Sequence, residues 1–214
     1  MLKVILSATI MLAFVGFTFV KPVLAASAQT GNTAETFVAD NVQSGLAILN
    51  NKQLSAEQRR VQFQTFLLGL TDMKRIADFT LGQYRRDASP ADLAAFEAAF
   101  QDYAVAVYQS YVVKYAGQTL KVTGSTERTP GDFIVATNLI DPNDHSGQPP
   151  LGIDFQVLTD TGKPVVLDFS FAGISLAVEE RDQFTAFLGQ NSGSIPKLIS
   201  QLGVLTNNYK HTPG

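Results

Sequence analysis

The hydrophobic period of this chain changes from helical to strand-like at Thr119 and returns to helical near Glu180, so helices, then strands, then helices must share one core. In the first block, residues 35–49 place Phe37, Val38, Asn41, Val42, Gly45 and Leu46 on one helical face. Ser55 and Gln58 form a capping-box pattern that starts a second helix near Ala56, with Val61, Phe63, Phe66, Leu67 and Leu70 as its stripe. Asp72 caps a short third helix carrying Met73, Ile76, Ala77 and Phe79. The strongest helix signal is Ser89-Pro90-Ala91-Asp92: a capping serine, a proline in the first turn and a carboxylate at the positive end of the dipole. Leu93, Phe96, Phe100, Tyr103, Val107, Tyr111 and Tyr115 then recur at three- and four-residue steps up to Gly117.

Four alternating runs follow, at 119–126, 133–140, 151–159 and 165–172. Turn residues separate them at Pro130-Gly131, at the polar stretch 141–150 and at Asp160-Thr161-Gly162, so consecutive strands pair antiparallel. Phe155, Val157, Val165, Leu167, Phe169 and Phe171 share one side, and Asp154, Gln156, Asp168 and Ser170 the other. Two closing helices are expected, near 180–188 and, capped by Ser194, at 195–202. The expectation is an α+β fold, helices packed on one face of a curved, antiparallel four-stranded sheet, as a single domain over 35–205 with a flexible tail at 206–214.

Lys3, an apolar run from Val4 to Val20 and small residues at Val23-Leu24-Ala25 read as a secretory signal peptide over 1–25. Loss of Lys3 and Lys21 would take the formal charge from −3 to −5, which disfavours a nucleic-acid partner. The chain has no Cys, so neither disulfides nor thiol chemistry is available. Its rings are 15 Phe and 6 Tyr without a Trp, which suits an interior that asks for few hydrogen-bond partners.

Catalytic patterns are few. His145 falls in a polar loop and His211 in the tail, and Ser194 to Lys197 matches Ser-x-x-Lys but encloses Pro196, so a helix cap explains the serine. Asp141-Pro142-Asn143-Asp144 reads as a turn, since it lacks the spacing and distal Glu of a calcium loop. Phosphate-loop, dinucleotide and zinc patterns do not occur. The enzyme alternative is an isomerase or hydratase using Asp154 or Asp168 as base with Tyr103 or Tyr111 as donor.

From Leu81 to Val122, LGQYRRDASPADLAAFEAAFQDYAVAVYQSYVVKYAGQTLKV resembles the MlaC family of periplasmic phospholipid-binding proteins, also called toluene-tolerance auxiliary proteins. Asn138 to Pro164 is similar to that family's strand-loop-strand, and Phe171 to Phe184 to its last strand and following helix. The carrying motifs are Leu-Gly-x-Tyr before the Ser-Pro helix, Tyr115 to Gln118, and Gly-Ile-Ser-Leu at Gly173 to Leu176. Lys163-Pro164 and Leu167-Asp168 stand where the family usually carries a Trp and a Tyr-Asp pair.

The resemblance implies a monomeric periplasmic carrier with no cofactor and no catalytic residue, which shuttles phospholipid between an outer-membrane lipoprotein complex and an inner-membrane ABC transporter complex with its ring protein, maintaining outer-membrane lipid asymmetry. Another apolar lipid, such as a hopanoid, is the alternative cargo. The physical need for a carrier is plain: about 30 methylenes at ~0.8 kcal/mol each make exposure of two tails to water cost about 24 kcal/mol. Combined with the apolar patterning, this makes Tyr103, Val107, Tyr111, Phe133, Val135, Phe155, Val157, Leu167 and Phe169 the candidate cavity wall. Arg85, Arg86, Lys114 and Lys121 are the candidate charged rim for docking to the membrane complexes.

Overall fold

The computed structural model describes residues 24–112, 117–160 and 162–211, with side chains described from Thr33 onward and not at 111, 112 or 211. The expected signal peptide thus lies, apart from its last two residues, outside the described residues. Among the described residues, six α-helices and five strands follow in order: α1 (Leu24–Leu49), α2 (Ala56–Leu70), α3 (Met73–Thr80), a 3-10 turn (Gly82–Asp87), α4 (Pro90–Val112), β1 (Thr119–Thr129), β2 (Asp132–Ile140), β3 (Gly152–Leu158), β4 (Val165–Phe171), β5 (Ile174–Ser175), α5 (Leu176–Gln190) and α6 (Ile195–His211).

The helix starts are set by the side chains that cap them. Ser55 Oγ accepts from Gln58 N at 3.2 Å while Gln58 Oε1 accepts from Ser55 N at 2.8 Å, a complete capping box. Asp72 accepts from Arg75 N, Ser89 from Asp92 N and Ser175 from Val178 N, so three further helices satisfy an otherwise orphaned amide in their first turn. The last helix runs beyond the expected 202, and Thr206 is buried with its hydroxyl on Leu202 O, so the stretch assigned to a flexible tail is helical through His211.

The sheet is an open antiparallel meander in the order β1-β2-β3-β4-β5. The added fifth strand is only two residues long. It arises because Ala172 and Gly173 both take positive φ, 49° and 81°, the backbone of a tight hairpin turn that folds Ile174 back onto Phe171. At the β1–β2 turn, Gly131 (φ 79°) follows Pro130, and a Cβ there would sit 2.8 Å from Asp160 Cβ, so only glycine fits.

Two separate cores result. Phe96, Phe100 and Tyr103 of α4 close with Phe184 and Leu188 of α5 and Leu198 and Leu202 of α6 into a helical core. Phe133 and Val135 of β2, Ile153, Phe155 and Val157 of β3 and Val166 of β4 form a second core under Val38 of α1 and Leu70 of α2. The inner face is consistent across the ladder, with Phe133 opposite Val157, Val135 opposite Phe155, and Phe155 opposite Phe169.

Candidate lipid-binding site

A cavity of 420 Å³ opens within the second core, between the α1–α2 hairpin and the inner face of the sheet. α1 contributes Phe37, Val38, Asn41, Val42, Gly45, Leu46 and Leu49, a single stripe at three- and four-residue spacing. α2 contributes Phe63, Phe66, Leu67 and Leu70 in the same way. The floor is Leu120, Leu139, Ile153, Phe155, Val166, Phe169 and Phe171 from four strands, and Tyr108 of α4, Gln118 and Thr119 complete the wall.

The lining is apolar, and both of its side-chain amides are engaged. Asn41 Nδ2 donates to Phe37 O at 2.7 Å and Gln118 Nε2 to Asp141 Oδ2 at 3.0 Å. None of the described lining residues is Lys, Arg, His, Asp or Glu. Gly45 sets how closely the two helices approach, since a Cβ at that position would meet the Phe66 ring at 3.2 Å. One wall is a file of rings: Tyr108 meets Phe169 edge-on at 5.6 Å, and Phe169 meets Phe155 at 5.2 Å.

Of the residues expected to form the wall, Phe155 and Phe169 line the cavity. Phe133, Val135 and Val157 belong to the same core but are fully packed, away from the open volume. Tyr103 and Val107 are in the other core, because α4 packs on α6 and presents its aromatic stripe to helices. There the Tyr103 hydroxyl donates to Glu180 Oε1 at 2.7 Å, and its ring stacks edge-on with Phe184 and Tyr209. Leu167 is displaced by a bulge: Gln156 pairs with Asp168 and Val157 with Val166, so Leu167 is the extra residue and Val166 takes the inner position. The Tyr111 side chain lies outside the described residues.

The α1 and α2 walls were legible only as amphipathic stripes. A glycine in the middle of an apolar helical face, as at Gly45, was the available hint that something other than a tight core lay beneath.

The charged candidates are spread out. Arg85 and Arg86 sit on the 3-10 turn beside α3 and α5, and the Arg85 guanidinium binds Asp78 at 2.9 Å, holding that carboxyl below the usual carboxylate range. Lys121 is exposed on β1, next to the lining Leu120 but on the opposite face. Lys114 lies outside the described residues. Asp154 alternates with the lining Ile153 and Phe155, and so faces away. Asp168 accepts from Phe169 N at 2.8 Å, from Ala177 N at 2.9 Å and from the Ser175 hydroxyl, which makes it a tie between β4 and α5.

A family model described as MlaC protein matches residues 39–203, a span that takes in the helical core and, apart from Ala34, Phe37 and Val38 of α1, the sheet core and the cavity walls. The chain belongs to the MlaC family. Its fold is also that of a phospholipid-binding protein from Ralstonia solanacearum solved in complex with a phospholipid, at a TM-score of 0.66 and 16% identity over 85% of this chain and 98% of that one. The MlaC match covers the stretches that carried the resemblance in the sequence, from Leu81 to Val122 and from Asn138 to Phe184. Its start at residue 39 falls within α1, the helix that supplies one whole wall of the cavity.

Proposed function

We propose that this MlaC-family chain is a lipid carrier that binds phospholipid by its acyl tails and performs no covalent chemistry. The observation that carries the reading is the 420 Å³ apolar cavity with no ionisable group other than Tyr108 among its described lining residues. Burial of methylenes at ~0.8 kcal/mol each supplies the affinity, and a charged headgroup left at the opening avoids the several kcal/mol that an unpaired buried phosphate would cost. The phospholipid bound by the structural relative supports the same cargo class here.

The signal-peptide pattern of residues 1–25 supports a periplasmic site of action, in which the carrier would pass lipid between an outer-membrane lipoprotein complex and an inner-membrane ABC transporter complex and so help keep the two leaflets distinct. Of the docking candidates with described side chains, Lys121 is the one on a cavity-forming strand without being part of the lining. Charge reversal there is expected to slow transfer to transporter-bearing membranes at low salt while leaving bound lipid unchanged.

The direct test is to purify the protein, extract it with organic solvent and identify the extract by mass spectrometry. Lipids bearing a phosphate headgroup at near one per protein are expected. An extract without lipid, from protein that also fails to take up lipid from vesicles, overturns the proposal.

A further inference from the structure

The stripe that α1 presents to the cavity is hydrocarbon or glycine at every position but one. Asn41 stands one turn from Phe37 and one turn from Gly45, all three in the lining. The place disfavours asparagine twice over: a short amide competes with the backbone of its own helix, and the side chains beside it on the stripe carry no polar atom.

Half of the amide is accounted for. Asn41 Nδ2 donates to Phe37 O at 2.7 Å, and because a carbonyl accepts only from a donor, the nitrogen is the atom that faces it. The oxygen, which diverges from the nitrogen at Cγ, accepts no hydrogen bond from the described residues. Its depth decides which part of a cargo can supply one. Val38, in the same turn of α1, is buried, as are Leu70 and Val166, whereas Leu49 is half-buried and Thr119 exposed. Asn41 therefore belongs to the closed end of the cavity, about 12 Å from Leu49 at 1.5 Å per residue. A headgroup held at the opening does not reach it, but the middle of an enclosed tail does. Plain methylenes there exclude water without offering a donor, which leaves the Asn41 carbonyl desolvated and unbonded.

We infer that Asn41 selects for an acyl lipid whose enclosed tail carries a hydroxyl, the alcohol O–H donating to Asn41 Oδ1. The inference rests on the carrier reading and names the lipid class within it.

Delipidated full-chain protein is offered, in competition, three lipids with the same phosphocholine head: distearoyl phosphatidylcholine, its analogue with a hydroxyl in the middle of each chain, and stearoyl sphingomyelin, whose donors lie next to the head. Gel filtration followed by mass spectrometry of the retained lipid gives the relative affinities. The mid-chain alcohol is expected to be held about tenfold more tightly than either of the others, the scale of one buried hydrogen bond made or left unmade. Equal retention of all three, or preference for either of the other two, overturns the inference while leaving the carrier reading intact. No retention of any of the three overturns both.

Asn41→Leu separates a selecting side chain from a merely structural one, since leucine continues the apolar stripe and favours the helix. The tenfold preference is expected to vanish, with the distearoyl lipid held at least as tightly as by the parent chain. A preference that survives in the variant, with folding verified by circular dichroism, overturns the assignment to Asn41. If Asn41→Leu does not fold, Asn41→Ala is read in the same way.

Discussion

The two cores of this protein are built from the same material and end in opposite states. In the helical core, Phe184 meets Phe96, Phe100 and Tyr103 at ring separations of 6.2, 6.3 and 6.1 Å, and Phe96, Leu188, Leu198 and Leu202 are fully buried around them. In the sheet core, phenylalanines are as frequent, but α1 and α2 stand off the floor and leave 420 Å³. Aromatic content is therefore not what makes a cavity. The partner differs: α4 packs its aromatic stripe on the rings and leucines of α5 and α6, whereas the sheet core faces the α1–α2 hairpin across the cavity.

The comparison breaks most readily in the solid half. Phe184→Ala is expected to cost about 3–5 kcal/mol, because its ring is shared by three others and the void cannot collapse. Phe66→Ala, at the edge of an existing cavity, should cost no more than about half as much. Urea denaturation of the two variants measures the contrast, and equal losses would mean that the cavity wall is as tightly packed as the helical core.

A carboxylate in the hollow half tests the cargo rather than the fold. Phe169→Glu is expected to remove lipid retention, at least a hundredfold, since an ionised group among acyl chains is unsolvated and a neutralised one sacrifices binding energy. Lipid per protein after gel filtration is the readout, with thermal unfolding checked in parallel.

The solid half also contains a strained charge. Burial pushes the Glu180 carboxyl up from its usual value, only partly offset by the Tyr103 hydroxyl, and its Oε2 is shielded without a hydrogen-bond partner among the described residues. A carboxyl with a raised folded pKa adds stability below its unfolded pKa and loses that contribution as pH rises through the folded value. Glu180→Gln is therefore expected to raise the melting temperature by about 2–4 °C at pH 8, roughly 1 kcal/mol, and to lose that advantage as the pH falls toward 4. A constant difference across this range would exclude titration of Glu180 as its source.

The smallest effect is expected at Ala172, which pays for a left-handed backbone with a β-carbon. Ala172→Gly should stabilise the β4–β5 hairpin by about 0.5–1 kcal/mol. Scanning calorimetry resolves a change of that size, and a loss of stability would show that the methyl group packs usefully.

Local structure was the most legible part of the chain. Ser55 with Gln58, Asp72, and Ser89 with Asp92 marked helix starts, because capping depends on side chains within three residues of one another. The antiparallel meander followed from its turns for the same reason. Alternation gave the inner face of the sheet but not which part of it stays open: Phe155 and Phe169 face the cavity, while Phe133, Val135 and Val157 on the same face are packed. Leu167 left the pattern because a bulge in a ladder depends on the neighbouring strand, which a run of residues does not encode. The stripes of α1, α2 and α4 are equivalent as patterns, and which of them faces a void is decided by tertiary packing.

The acceptor contacts of Asp168 have a mechanical consequence. By holding the Phe169 amide of its own strand together with Ser175 and the Ala177 amide of α5, this one carboxylate rivets the cavity floor to the solid half of the molecule. The bridge from Thr71 to Val166 fixes the far end of α2 to the same strand. Cargo that swells the cavity therefore works against a floor and a hairpin end that are both tied to the rest of the fold, and faster amide exchange on loading is expected at the other end, where α1 turns into α2 between Leu49 and Ala56.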